Sequence, residues 1–150
     1  MQQLPLNVLL DDSVELSNFI PGKNSVLVDY LTQLDSKNEF IFIWGEPGSG
    51  KSHLLQAVAN HLNGKNIFYL AADQDGLAPE MLQSLETFDW LLIDDLQRLL
   101  NGSQWQESLF HLYNKINDNG GNLIITANSP PLDLNIELQD LTSRLSAMTV

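Results

Sequence analysis

The chain has no cysteine. A disulfide scaffold, a thiolate zinc site and a cysteine nucleophile are therefore excluded, and the absence fits a reducing, cytoplasmic setting. Basic residues are scarce: 7 Lys plus Arg face 19 Asp plus Glu, a formal charge of -12. The arginines are Arg98 and Arg144 alone. A surface of that sign repels phosphate backbones, so direct DNA binding by this chain is not expected. No apolar run nears the roughly 18 residues that a membrane span needs. The opening stretch MQQLPLNVLLDDSVE lacks the basic-then-apolar order of a signal peptide. There is no internal repeat and no low-complexity tract. What is there is 150 residues, 43% apolar and 17% charged, enough for one globular domain with one core.

Residues 1 to 16 read as an arm with apolar residues but no helical period, and 17 to 150 as the folded core. Leu27, Val28, Leu31 and Leu34 share a face, which predicts a helix over Asn24–Leu34. Phe40–Trp44 is a continuous apolar run suited to a buried parallel strand. A glycine-rich loop follows. Leu54, Leu55, Val58, Ala59 and Leu62 then give helical spacing over Ser52–Leu62, stopped by Asn63-Gly64-Lys65. Asn66–Leu70 and Trp90–Asp94 read as strands, with a short helix opened by Pro79 and running to Leu85 between them. Gln104–Asn117 reads as a helix with Leu109, Leu112, Tyr113 and Ile116 inward, and Asn122–Thr126 as a fourth strand. A last short helix is expected over Leu138–Leu145, with Ala147–Val150 entering a fifth strand. Strands alternating with helices predict an α/β fold, a parallel sheet with helices on both faces. An end at the threshold of a strand suggests the front part of a longer protein, or a short version of one.

Gly45-Glu46-Pro47-Gly48-Ser49-Gly50-Lys51-Ser52 matches G-x-x-x-x-G-K-[ST]. Glycines permit a tight turn whose backbone N–H groups surround phosphate oxygens. The helix that follows adds the positive end of its dipole. Lys51 suits the β- and γ-phosphates, and the Ser52 hydroxyl suits Mg²⁺. At ordinary residue usage a window matches by chance roughly 4 times in 10⁵, under about 1% over the chain. A strand before the loop and an amphipathic helix after it are the context the motif requires, so a nucleotide is the expected ligand. His53 closes the nucleotide-binding stretch; its place there does not by itself argue for catalysis. His61 and His111 share no metal-like spacing with it.

Trp90–Asp94 ends in two carboxylates, Asp94 and Asp95. Beside a phosphate loop, Asp94 suits holding Mg²⁺ directly or through water, and Asp95 suits orienting an attacking water. The alternative is a solvated acidic turn. Asn128 lies just past the fourth strand, at the sheet edge where ligands bind, and suits a γ-phosphate or water contact; a turn residue ahead of Pro130-Pro131 is the alternative. Arg144, in the mostly neutral segment Leu141–Leu145, suits a finger that reaches a neighbour's nucleotide. A surface salt bridge is the alternative there.

Together these segments resemble the AAA+ ATPases, P-loop NTPases, and within them the DnaA/Hda branch of replication proteins. GEPGSGKSHLLQAVAN at 45–60 is similar to that branch's phosphate loop and helix, and LLIDDLQRL at 91–99 to its magnesium segment. ITANSPPLDL at 125–134 resembles its first sensor strand, and LTSRLS at 141–146 its arginine-finger segment. The stretch around Pro21 and Gly22 resembles the one that packs on adenine. The resemblance covers nearly all of the chain from about residue 17. It implies ADP or ATP with Mg²⁺ as cofactors and weak ATPase activity at most for the chain alone. The helical lid that follows such a core is expected to be absent, because the sequence ends at Val150.

The resemblance is closest to members with a short arm bearing a clamp-binding peptide of the Gln-Leu-x-Leu type, which Gln3-Leu4-Pro5-Leu6 fits. An extended peptide of that kind buries Leu4 and Leu6 in a groove while the Gln3 amide hydrogen-bonds. The implied partners are the DNA polymerase sliding clamp (β) and DnaA, whose bound ATP would be hydrolysed with Arg144 as the finger. Assembly with further copies of the chain also remains open. A helicase-loader or initiator-type ATPase acting directly on DNA is the alternative, and would need a basic face. A small-metabolite kinase would need a basic lid.

Overall fold

The computed structural model describes residues 38–45, 50–62, 65–72 and 76–148. The expected arm with Gln3, Leu4 and Leu6, the helix over Asn24–Leu34, Pro21 and Gly22, and loop residues Glu46, Pro47, Gly48 and Ser49 lie outside the described residues.

The described strands are β1 (Phe40–Trp44), β2 (Ile67–Ala71), β3 (Trp90–Asp94) and β4 (Asn122–Ala127). The helices are α1 (Lys51–His61), α2 (Ser103–Asp118) and α3 (Gln139–Ser146). All pairings are parallel and the sheet order is β1-β4-β3-β2. The chain leaves β1 at one side, passes along α1 over β3 and β4, and enters β2 at the other side. It then steps back through β3 to β4. Such a path sets the strand ends beside β1 and β4 as a crevice, the place where α/β sheets receive ligands.

Strands covered on both faces need apolar residues at every position, and the four runs supply them. On one face Ile41, Ile43, Tyr69, Trp90, Leu92 and Ile124 pack with Leu54, Leu55 and Val58 of α1. On the other, Phe42, Leu91, Ile93 and Ile125 pack with Leu109, Leu112 and Ile116 of α2 and Leu141 and Leu145 of α3. Helices thus cover both faces, as the alternation of elements predicts. At the N-terminal end of the strands the buried Asn122 amide acts as a joint. Its Oδ1 accepts the Glu39 N–H at 2.6 Å and its Nδ2 donates to the Asp89 carbonyl at 2.9 Å, linking the approaches to β1, β4 and β3.

One expectation fails, and a second falls partly outside the described residues. The segment opened by Pro79 forms two short 3₁₀ turns, Pro79–Leu82 and Leu85–Thr87, rather than one helix. Ser84 between them adopts φ 72, outside helical space, and the turns bury only Leu82 and Leu85. Of the fifth strand expected over Ala147–Val150, Thr149 and Val150 lie outside the described residues, and Ala147 and Met148 are not in a strand. Their amides fold back onto the carbonyls of Ser143 and Leu145, closing α3, and Met148 is buried in the core. Tyr113, expected inward, is half-buried, with its ring 4.8 Å from that of Phe40.

Leu92 is fully buried between strands and α1. Leu92→Ala is expected to lower unfolding free energy by about 2–5 kcal/mol in urea titration, while Leu132→Ala, at a side chain 79% exposed, changes it by less than about 0.5 kcal/mol. Burial pushes the Tyr113 phenol up, against the opposing charge of Arg144. A raised acid favours its neutral form in the fold, so its contribution is complete below the ordinary tyrosine value and is lost as pH rises past it. Tyr113→Phe is expected to reduce the fall in urea midpoint between about pH 9 and about pH 11.

Candidate nucleotide-binding site

The site assembles at the C-terminal ends of β1, β3 and β4. Gly45 follows β1 and its N–H donates to the Ala127 carbonyl at the end of β4, 3.2 Å away. The foot of the phosphate loop is thereby fastened beside Asn128. Gly50 precedes α1 with φ 91, a left-handed conformation that glycine adopts without cost to a side chain. The turn leaves the first amides of α1 at the helix N-terminus, suited to an anion. No acidic residue occupies that first turn to compete. Lys51 donates from Nζ to the Gly45 carbonyl at 2.6 Å, so its ammonium lies at the C-terminal end of β1. Ser52 is half-buried beside it, and His53 is exposed.

Side chains alternate along a strand. Trp90 and Leu92 face α1, and the same period turns Asp94 to that face, the one carrying the phosphate-loop helix. Asp94 is 7% exposed. Its Oδ2 accepts the Tyr69 hydroxyl at 3.1 Å, and its Oδ1 accepts the Thr126 hydroxyl at 2.6 Å. Thr126 is fully buried, and its oxygen also accepts the Asp95 N–H at 3.0 Å. Flanking strands therefore fix the carboxylate from both sides. Asp95 takes φ 63, in the left-handed region, where the chain turns sharply out of β3. Its carboxylate lies 3.6 Å from Arg98 Nε, a partly exposed pair. Asn128 is exposed past β4, and its N–H donates to Gln97 Oε1 at 3.1 Å.

Lys51, Asp94, Asp95 and Asn128 are thus brought to neighbouring strand ends. Arg144 is not. It projects from α3, whose buried leucines belong to the opposite face of the sheet from α1. Its Nε donates to Asn114 Oδ1 at 3.1 Å, and its guanidinium carbon lies 5.6 Å from the Phe110 ring centre. Tyr69, Thr126 and Gln97 escaped the sequence reading. Thr126 left one sign, a hydroxyl inside the apolar run Leu123–Ala127. Register then settles its neighbour: Ile93 pairs with Ile125, so Thr126 lies beside Asp94.

Among the described residues no group of three or more His, Cys, Asp or Glu side chains gathers at metal-binding separation. Mg²⁺ needs only one or two protein oxygens, because it keeps waters and phosphate oxygens in its shell. The Ser52 hydroxyl and Asp94 carboxylate are hard oxygen donors of the right kind.

Comparison with known proteins agrees with this construction. The family model of the bacterial DnaA ATPase domain matches residues 10–149. An uncharacterized protein of Haemophilus influenzae is 35% identical over 151 residues, spanning 97% of this chain and 65% of the relative. Domain III of the Thermotoga maritima replication initiation protein DnaA superposes with a TM-score of 0.80 at 26% identity, over 95% of this chain and 68% of that one. A replication initiator DnaA bound to AMPPCP and single-stranded DNA superposes with a TM-score of 0.79 at 29% identity, over 95% of this chain and 50% of that one. The fold is that of AAA+ P-loop NTPases. The chain spans about 65% of the length of the curated relative. Among the described residues no helix is long and apolar enough to cross a membrane.

Thr126→Val preserves shape but removes the hydroxyl from Asp94 and Asp95. The melting-temperature rise given by ADP with Mg²⁺ is expected to fall toward that given by ADP with EDTA, measured by differential scanning fluorimetry. Thr126→Ser is expected to restore it.

Proposed function

Because the chain belongs to the bacterial DnaA ATPase-domain family, we propose that it is a nucleotide-binding regulator of chromosome replication initiation, one that binds the sliding clamp and promotes hydrolysis of DnaA-bound ATP as Hda-type proteins do. The observation that carries this reading is the placement of Arg144. It is exposed on α3, and no described carboxylate pairs with it. The face of the sheet beneath α3 is the one opposite α1, so Arg144 suits a phosphate on another molecule.

In this reading ADP or ATP occupies the loop at 45–52. The first-turn amides of α1 and the Lys51 ammonium bind phosphate oxygens. Ser52 and Asp94 would hold Mg²⁺, which would neutralise phosphate charge when bound. Tyr69 and Thr126 keep the Asp94 carboxylate from rotating. Asp95 and Asn128 would orient an attacking water. Pro21 and Gly22 pack on the base, with Glu46, Pro47, Gly48, Ser49, Gly50 and His53 completing the binding stretch. Gln3, Leu4 and Leu6 dock in the clamp groove as an extended peptide.

The second reading is an initiator- or loader-type ATPase acting directly on DNA. The solved initiator with single-stranded DNA favours it. The formal charge of -12 opposes it, because phosphate contacts require Lys and Arg in number.

Calorimetry against purified clamp is expected to give micromolar binding that Gln3→Ala removes. Failure of the native chain to bind, with capture of a single-stranded oligonucleotide instead, selects the second reading. Lys51→Ala is expected to abolish the thermal shift with ADP, and an unchanged shift removes Lys51 from phosphate binding. Arg144→Ala is expected to retain the ADP shift while losing stimulation of DnaA-bound ATP hydrolysis.

A further inference from the structure

We infer that three side chains on one stripe of α2, Gln106, Phe110 and Asn114, are positioning residues that hold Arg144 ready for a phosphate group outside this chain. This inference rests on the reading of Arg144 as a finger for a partner's nucleotide.

The three residues are spaced four apart, so they line one side of α2. Gln106 is 3% exposed. Its Oε1 accepts the N–H groups of Glu137 and Leu138, both at 3.0 Å, and its Nε2 donates to the Leu100 carbonyl at 3.3 Å. Leu138 is the N-cap of α3 and supplies no side-chain cap of its own. The Gln106 amide therefore receives a donor at the start of α3 that the helix leaves open. Donors on one side and an acceptor on the other allow one orientation of that amide. With it, the axial position of α3 against α2 is set.

Phe110, one turn on, lies under the Arg144 guanidinium at 5.6 Å, within cation–π range. Asn114, a further turn on, accepts the Nε–H at 3.1 Å. These contacts occupy Nε and one flat side of the guanidinium. Among the described residues nothing else is bonded to the two Nη groups, the paired fork that grips phosphate oxygens.

The choice of a neutral acceptor is the telling feature. Asp140 precedes Arg144 by four residues, with the acid toward the N-terminus, the favoured spacing for a helical ion pair. No such pair forms, in a chain with 19 acidic residues. A carboxylate would hold the arginine and also cancel its charge. A carboxamide holds it and leaves the charge whole for an outside anion. An aromatic ring does the same. Holding the side chain beforehand also reduces the freedom that must be lost when the phosphate arrives.

The experiment uses the presence of only two arginines. With ¹⁵N-arginine labelling the chain gives two Nε–H signals, assigned with Arg98→Lys. The Arg144 Hε is expected to exchange with water roughly tenfold more slowly in the native protein than in Asn114→Leu, the scale of one hydrogen bond, with the melting temperature unchanged. Equal exchange in the two proteins overturns the inference. In the second arm, stimulation of ATP hydrolysis by DnaA is measured with clamp loaded on DNA. Asn114→Leu is expected to lower the maximal rate roughly tenfold at an unchanged half-saturating concentration, the mark of lost orientation rather than lost binding. A native maximal rate in that variant overturns the inference. Arg144→Ala in the same assay separates the two ideas. Normal stimulation there sinks the finger reading, whatever the exchange rates report about how Arg144 is held.

Discussion

Asp94 is an ionisable group at the end of an apolar strand, and burying it demands donors for both of its oxygens. Tyr69 on β2 and Thr126 on β4 supply them. These donors come from strands that are neighbours in space but far apart in sequence. The bonds form only if β2, β3 and β4 lie side by side in parallel and in this register. Thr126 does more, since its oxygen also takes the Asp95 amide as the chain turns out of β3. One hydroxyl thus ties the position of the first carboxylate to the backbone of the second. The phosphate loop joins the same arrangement through the Gly45 bond to the end of β4.

The two faces of the sheet divide the labour. The α1 face carries the chain's own phosphate loop and Asp94. The other face is covered by α2 and α3, and there Arg144 is presented outward. Among the described residues Arg144 and Lys51 thus lie on elements of opposite faces, a separation that fits the proposed action of Arg144 on a second molecule.

Much of this was legible in the sequence because the signals were local. Apolar runs at Phe40–Trp44, Trp90–Asp94 and Asn122–Thr126 mark strands without tertiary help, and Gly45–Ser52 carries a motif of its own. Helix faces were legible for the same reason, as with Leu54, Leu55 and Val58. The residues that were missed act across the fold. Tyr69 looks like one more core aromatic until β2 is set beside β3. Gln106 looks like a solvated helix residue until α3 arrives to place two amides against it. The segment after Pro79 misled because proline opens 3₁₀ turns as readily as helices, and Ser84 breaks the helical path. Ahead of the expected fifth strand, Met148 completes the core by folding back beneath α3.

Several joints between elements are made by carboxamides: Asn122 between strand approaches, Gln97 between the turns after β3 and β4, Gln106 and Asn114 between the last two helices. A carboxamide neither titrates nor attracts counterions. Those joints depend little on ionic strength. The acidic exterior has the opposite character, because its long-range field shortens with every addition of salt. In a cell, changes in ionic conditions then alter how readily partners approach this surface, while the geometry they meet on arrival stays the same.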